Sequence, residues 1–210
     1  NFEEILNQNP DLYVSPSSPL LPMLMQSDNA YSHPQNVDYD RSKDIFNVNS
    51  NIAQKLYESY NQNNIIDKNH WLVIPGGVEL ANKYITQDIK IICPVRDIIE
   101  VLASFNTIIE KSKKSKDNVV DKQVLVETYD NKPMPDRRAD WLMRPKGDID
   151  THMWGMSFAK DPRFAHMFHF VEYDDIVLNP AETVEKVYQF LDIPKFDHTF
   201  DNLKNDMPAE

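Results

Sequence analysis

The sequence predicts an α/β fold, a parallel sheet flanked by helices, because strand and helix patterns alternate along it. Residues Ile89 to Val95 make a nearly continuous, largely β-branched run, the kind found when both faces of a parallel strand are covered. Ile98, Val101, Leu102 and Phe105 follow at once at i, i+3, i+4 and i+7, the spacing of one helix face. The same order returns at Phe168 to Tyr173 and after Asn179-Pro180, and such alternation implies parallel strands joined by helical crossovers.

Taken from the start, Phe2, Ile5 and Leu6 read as the tail of an amphipathic helix that ends near Asn9-Pro10, since proline disfavours a helical residue before it. The chain thus begins in mid-element. Leu12-Tyr13-Val14 reads as a short strand, Ser15 to Pro22 as a loop, and the residues beyond as a polar stretch. Ile45, Ile52, Leu56 and Tyr60 recur at roughly helical spacing, and Ile65-Ile66 is a second short strand. Leu80, Ala81 and Tyr84 predict a helix entered after Pro75-Gly76-Gly77. Asp97 with Glu100 forms a capping-box pattern for the helix after Val95. Between about Lys111 and Pro162 the composition turns charged, proline-containing and aromatic without a long period, which predicts an inserted cap, residues 111–162. Asn179 and Pro180 supply N-cap and N1 signals for a last helix with Val184, Val187, Tyr188 and Leu191 as its apolar stripe.

Composition bounds the function. A chain of 210 residues suits one domain over 1–210. No apolar run is long enough to cross a membrane, and Asn1-Phe2-Glu3-Glu4 has neither the basic start nor the apolar core of a signal peptide, so a soluble, cytoplasmic protein is expected. The net charge of -11 argues against a nucleic-acid partner, because an acidic surface repels the phosphate backbone, and any anionic ligand must be caught by a local arrangement. Cys93 is the single cysteine and sits in an apolar run, which reads as a small buried hydrophobe and excludes an intrachain disulfide. With only 4 glycines, a GxxxxGK[ST] loop is absent. His166 and His169 approach a strand without an acidic partner, so no metal site is expected. Lys111, Lys113, Lys114 and Lys116 read as a solvated loop or helix end. Arg137, Arg138, Arg144 and Lys146, with Trp141 and Trp154, read as acceptor contacts or as braces for the cap.

In open α/β sheets ligands bind beyond the carboxyl ends of the strands, which directs attention to Arg96 after Val95 and to Asp67, Lys68 and His70 after Ile66. A planar, always charged guanidinium clamps phosphate with two hydrogen bonds, and Ser104 lies two turns beyond Asp97 on nearly the same helix face. The run Ile91-Ile92-Cys93-Pro94-Val95-Arg96-Asp97 through Ser104-Phe105 resembles the 3′-phosphate-binding segment of sulfotransferases that use 3′-phosphoadenosine-5′-phosphosulfate (PAPS). Phe170-Val171-Glu172-Tyr173-Asp174-Asp175-Ile176, then Asn179-Pro180 and Phe190-Leu191-Asp192-Ile193-Pro194, resembles that family's Tyr-acid-acid strand end, its Asn-Pro helix start and its Phe-Leu helix end. Lys68-Asn69-His70 is similar to the Lys-x-His of many soluble members.

The resemblance implies a variant of the P-loop nucleotide-binding fold and transfer of a sulfuryl group from PAPS to an acceptor hydroxyl or amine. Arg96 and Ser104 would hold the 3′-phosphate, Tyr173 would lie near the adenine, Lys68 would contact the bridging and sulfuryl oxygens, and His70 would be the base, with Asp67 as its alternative or as the group that orients Lys68. It implies no metal. The family's phosphosulfate loop should lie just before Asn1 and a later phosphate-binding loop has no match before Glu210, so a fragment truncated at both ends is expected. Two other readings stay open: a P-loop nucleotide kinase-like phosphotransferase, against which the missing loop argues, and a non-catalytic binding module that lost the donor loop. The acceptor, a small molecule or carbohydrate, and the oligomeric state are not legible in this chain.

Overall fold

The computed structural model describes residues 2–39, 41–112, 119–127 and 131–201. Its strands form two parallel ladders: β1 (Leu12–Val14) pairs with β2 (Asn64–Ile66), and β3 (Ile91–Val95) pairs with β4 (Phe168–Glu172). Around them lie α1 (Phe2–Leu6), α2 (Leu20–Tyr31), α3 (Pro34–Asp38), α4 (Ser42–Tyr57), α5 (Pro75–Tyr84), α6 (Ile98–Ser112), α7 (Val119–Glu127), α8 (Met134–Met143), α9 (Asp148–Ala159), α10 (Tyr173–Leu178) and α11 (Pro180–Leu191). A 3-10 turn, His70–Val73, precedes α5, and another, Ala165–Met167, precedes β4. The parallel pairing and the flanking helices make this an α/β fold, although among the described residues the four strands do not join into one continuous sheet.

Strand alternation sorts the apolar residues into two cores. Ile91 and Phe168 point into one, with Leu20, Leu21 and Leu24 of α2, Val78, Ala81 and Tyr84 of α5, and Ala159 of α9. Ile92 and Val171 point the other way, toward Ile5 and Leu6 of α1, Leu12 and Val14 of β1, and Val184, Val187 and Tyr188 of α11. β3 and β4 therefore lie between the two cores.

Several elements differ from expectation. The segment read as a loop from Ser15 to Pro22 gives way to α2 at Leu20, with Pro22 in the first turn, where its missing N–H has no partner to lose. β3 opens at Ile91, two residues later than the apolar run, and Tyr60 lies beyond α4. Tyr173 is the first residue of α10, so β4 passes into helix without an intervening turn. Asn179 makes no side-chain cap; instead Thr183 Oγ1 donates to the carbonyl oxygens of Asn179, at 2.9 Å, and Asp175, at 3.0 Å. Cys93 is buried, and burial pushes its thiol above the usual range.

Residues 119–159 supply α7, α8 and α9, and one side chain ties the first two of these to α6. Arg138 of α8 is 0% exposed. It donates through Nε and Nη2 to the two carboxylate oxygens of Asp121 in α7, each at 2.7 Å, and through Nη1 to Glu110 of α6 at 2.8 Å. A buried guanidinium held in this bidentate way is a brace, which settles its part among the arginines of this segment. Arg144 lies with its guanidinium carbon 4.2 Å over the Trp141 ring. Of the lysine cluster, Lys111 is exposed near the end of α6, and residues 113–116 lie outside the described residues.

The inner face of α9 repeats at helical spacing. Met156 Sδ is 3.7 Å from Cys93 Sγ of β3, Gly155 backs onto the carbonyl of Val73, and the ring of His152 stands 5.9 Å from that of His70. A Cβ on Gly155 would lie 2.9 Å from the carbonyl carbon of Val73 and closer still to its oxygen, so only glycine permits this approach.

Two substitutions test these contacts. R138A should lower stability by about 3–5 kcal/mol in urea unfolding, because it removes a fully buried guanidinium that pairs with Asp121 and Glu110. G155A should cost roughly 1–3 kcal/mol despite alanine's better helix propensity, since the clash is with backbone and forces α9 away from the 70–73 turn; an unchanged midpoint would contradict the close approach.

Candidate functional site

β3 and β4 run in register, with Val95 opposite Glu172, so the residues that follow them emerge side by side. Those residues are Arg96 and Tyr173. The Arg96 guanidinium carbon lies 4.2 Å from the centre of the Tyr173 ring, a cation–π contact, and both side chains remain open to solvent at 32% and 40% exposure. Arg96 Nε donates to Glu100 Oε2 at 2.7 Å, which raises the guanidinium further above its ordinary range. Among the described residues its two terminal nitrogens make no hydrogen bond, so the edge of the fork that suits a phosphate or carboxylate is not consumed by the pair.

The start of α6 arranges this. Asp97 Oδ1 accepts from the backbone N–H groups of Ile99 at 2.8 Å and Glu100 at 3.3 Å, which is the N-cap half of the expected box. The Glu100 side chain leaves the other half unmade and turns to Arg96 one helical turn before it. Ser104 lies two turns along α6, half-buried, and its hydroxyl makes no hydrogen bond with the described residues, unlike Thr107, whose hydroxyl donates back to Ala103 at 3.0 Å.

The other ladder ends in a second polar cluster. Ser15, just past β1, is 3% exposed and accepts from the backbone N–H of Lys68 at 2.9 Å. Asp67 Oδ2 accepts from both the Ser18 hydroxyl and the Tyr57 phenol. Burial, and next the bond to Asp67, push that phenol above its usual range. Asp67 is thus occupied by neutral donors, and the Lys68 ammonium pairs with Glu3 of α1 instead. His70 opens the 3-10 turn, exposed, beside the Trp71 ring at 5.2 Å and the His152 ring at 5.9 Å. Burial, and then the neighbouring His152, hold its imidazole below the ordinary range, with Asp148 acting in the opposite sense.

The structure thus brings Arg96 and Tyr173 into contact, sets Ser104 on the helix that leaves Arg96, and gathers Asp67, Lys68 and His70 at the end of β2. Sequence reading missed His152 and Glu100 as neighbours of these groups. His152 had a usable signal, because it shares the stripe His152, Gly155, Met156, Ala159 that faces the body of the fold. A cavity of about 390 Å³ lies elsewhere, among Tyr31, Lys43, Phe46, Lys83 and Tyr84 at the far ends of α2 and α5. Its Lys83 is already paired with Asp28 at 2.8 Å and no strand residue lines it, so the polar groups at the strand ends rather than this concavity form the candidate site.

A search of curated proteins returns no match. Among solved structures, a sulfotransferase domain from the curacin biosynthetic pathway shares the fold, with a TM-score of 0.55 and 16% sequence identity over 93% of this chain and 70% of that one. The sulfotransferase domain family matches residues 22–208, nearly the whole length over which these strands, helices and crest residues are distributed, and the chain therefore belongs to that family.

Proposed function

We propose that this chain transfers a sulfuryl group from PAPS to an acceptor hydroxyl or amine, in one domain of the P-loop nucleotide-binding type with residues 111–162 as a helical cap. The observation that carries the reading is the stack of Arg96 on Tyr173 at the carboxyl ends of paired parallel strands. A 3′-phosphate would meet the unengaged edge of the Arg96 fork, with the Ser104 hydroxyl on the same helix to support it and the Tyr173 ring beside it for the adenine. Glu100 holds the guanidinium plane through Nε without covering that edge.

The donor supplies an activated sulfuryl group with a phosphate as leaving group. Charge that builds on the leaving oxygen is countered by Lys68, which is exposed and paired only with Glu3; a solvent-exposed ion pair is worth about 0–1 kcal/mol, so an incoming oxyanion displaces the glutamate at little cost. His70 takes the acceptor proton. Its depressed basicity supports this, since the ring is neutral and ready to accept near pH 7. The acceptor oxygen or nitrogen forms the new bond to sulfur as the bond between sulfur and the phosphate oxygen breaks, and the electron pair stays on that phosphate. Asp67, held by Ser18 and Tyr57, keeps the end of β2 in place.

Isothermal titration with 3′-phosphoadenosine-5′-phosphate, adenosine 5′-monophosphate and ATP tests the reading. The 3′-phosphorylated nucleotide should bind most tightly, and R96A should weaken it at least about tenfold while leaving the monophosphate little changed. Equal binding of all three, a preference for ATP, or indifference to R96A would sink the assignment.

A further inference from the structure

The α9 helix delivers a second imidazole to the acceptor side of the site. Moving along α9 from Gly155 to His152 follows the 3-10 turn from Val73 back to His70, that is, toward the end of β2. On β3, Met156, one helical turn after His152 on the same face of α9, touches Cys93 at 3.7 Å. The His152 ring is also held in place: its Nδ1 lies 2.5 Å from the Asp148 carbonyl oxygen, a group that only accepts, so Nδ1 donates there and Nε2 is the nitrogen left for other contacts.

We propose that His152, carried to the strand ends by α9, is a positioning residue for His70: the docked helix keeps the His70 ring in place and in its proton-accepting form, so that base readiness depends on how α9 sits. This rests on the reading of His70 as the acceptor base. The groups that face His70 are few. From α9 come His152 and the Asp148 carboxylate, with opposite effects; from its own turn comes the uncharged Trp71 ring; Lys68, two residues earlier, is turned to Glu3. Two exchanges on α9 should therefore move His70 in opposite directions, which loss of packing alone would not do.

The experiment is a nitrogen-15 NMR titration of the imidazoles in the intact chain, comparing the wild type with H152Q and D148N. With the facing imidazole removed, H152Q should raise the His70 midpoint by roughly half a pH unit, the scale of an electrostatic contact about 6 Å long near a protein surface. D148N, at an exposed residue, should lower it. The acidic limb of kcat/KM should move with the midpoint in each variant. A His70 midpoint unmoved in both variants, while those of His169 and His198 report an intact fold, overturns the proposal. Wild-type turnover in H70A would instead remove the base role on which it rests, and the titration tells the two failures apart because it needs no turnover.

Discussion

The in-register parallel pairing of β3 with β4 is the constraint from which the site follows. Because Val95 lies opposite Glu172, the next residue on each strand must emerge at the same edge, and a guanidinium and a phenol ring meet there at 4.2 Å. A slip of one residue would reverse the faces of one strand against the other, sending either Ile91 and Ile92 or Phe168 and Val171 out of their two cores. The cores thus protect the register, and the register aims the arginine. Glu100 then completes the arrangement from within α6, taking only the Nε side of the fork.

The α7–α9 segment is attached by two contacts of different kinds. Arg138, itself fully buried, gathers carboxylates from α6 and α7, an arrangement that is costly to break but adds little if exchanged for apolar groups of the same size. Gly155 against Val73 acts through shape alone, since it lets backbone meet backbone. The first contact fixes the α7–α8 pair on α6; the second fixes α9 on the turn that bears His70. Geometry around His70 therefore depends on a missing side chain more than on any charge.

How legible this was in the sequence follows from local physics. β3 and α6 declared themselves because a β-branched run and a helical stripe adjoin without ambiguity, and Arg96 was singled out because it stands at their junction. α2 was hidden by Pro19 and Pro22, which read as loop residues although proline is tolerated before and within a first helical turn; the three leucines Leu20, Leu21 and Leu24 carried the stronger signal. The entry into α10 was obscured because Tyr173 continues the apolar pattern of β4, yet Asp174 and Asp175 in the first turn suit the positive end of a helix. The separation of the strands into two ladders was not legible at all, since hydrogen bonding between strands far apart in the chain leaves no local mark. The pairing of Lys68 with Glu3 was hidden for the same reason, and His152 was visible only once α9 was known to dock by its glycine.

The anionic donor proposed above would have to approach an acidic body. At -11 the chain as a whole repels anions, but at physiological salt the Debye length is about 8 Å, so the field at the strand ends is decided by the nearest groups. Arg96 and Lys68 each have one glutamate for company, Glu100 and Glu3, and both pairs are open to water. Such pairs order a long cationic side chain without neutralising it deeply, because water already screens most of their attraction. An oxyanion arriving with several strong acceptors on one atom competes well against a single screened carboxylate, so the cations can be held in readiness by the same acidic surface that keeps weaker anions away.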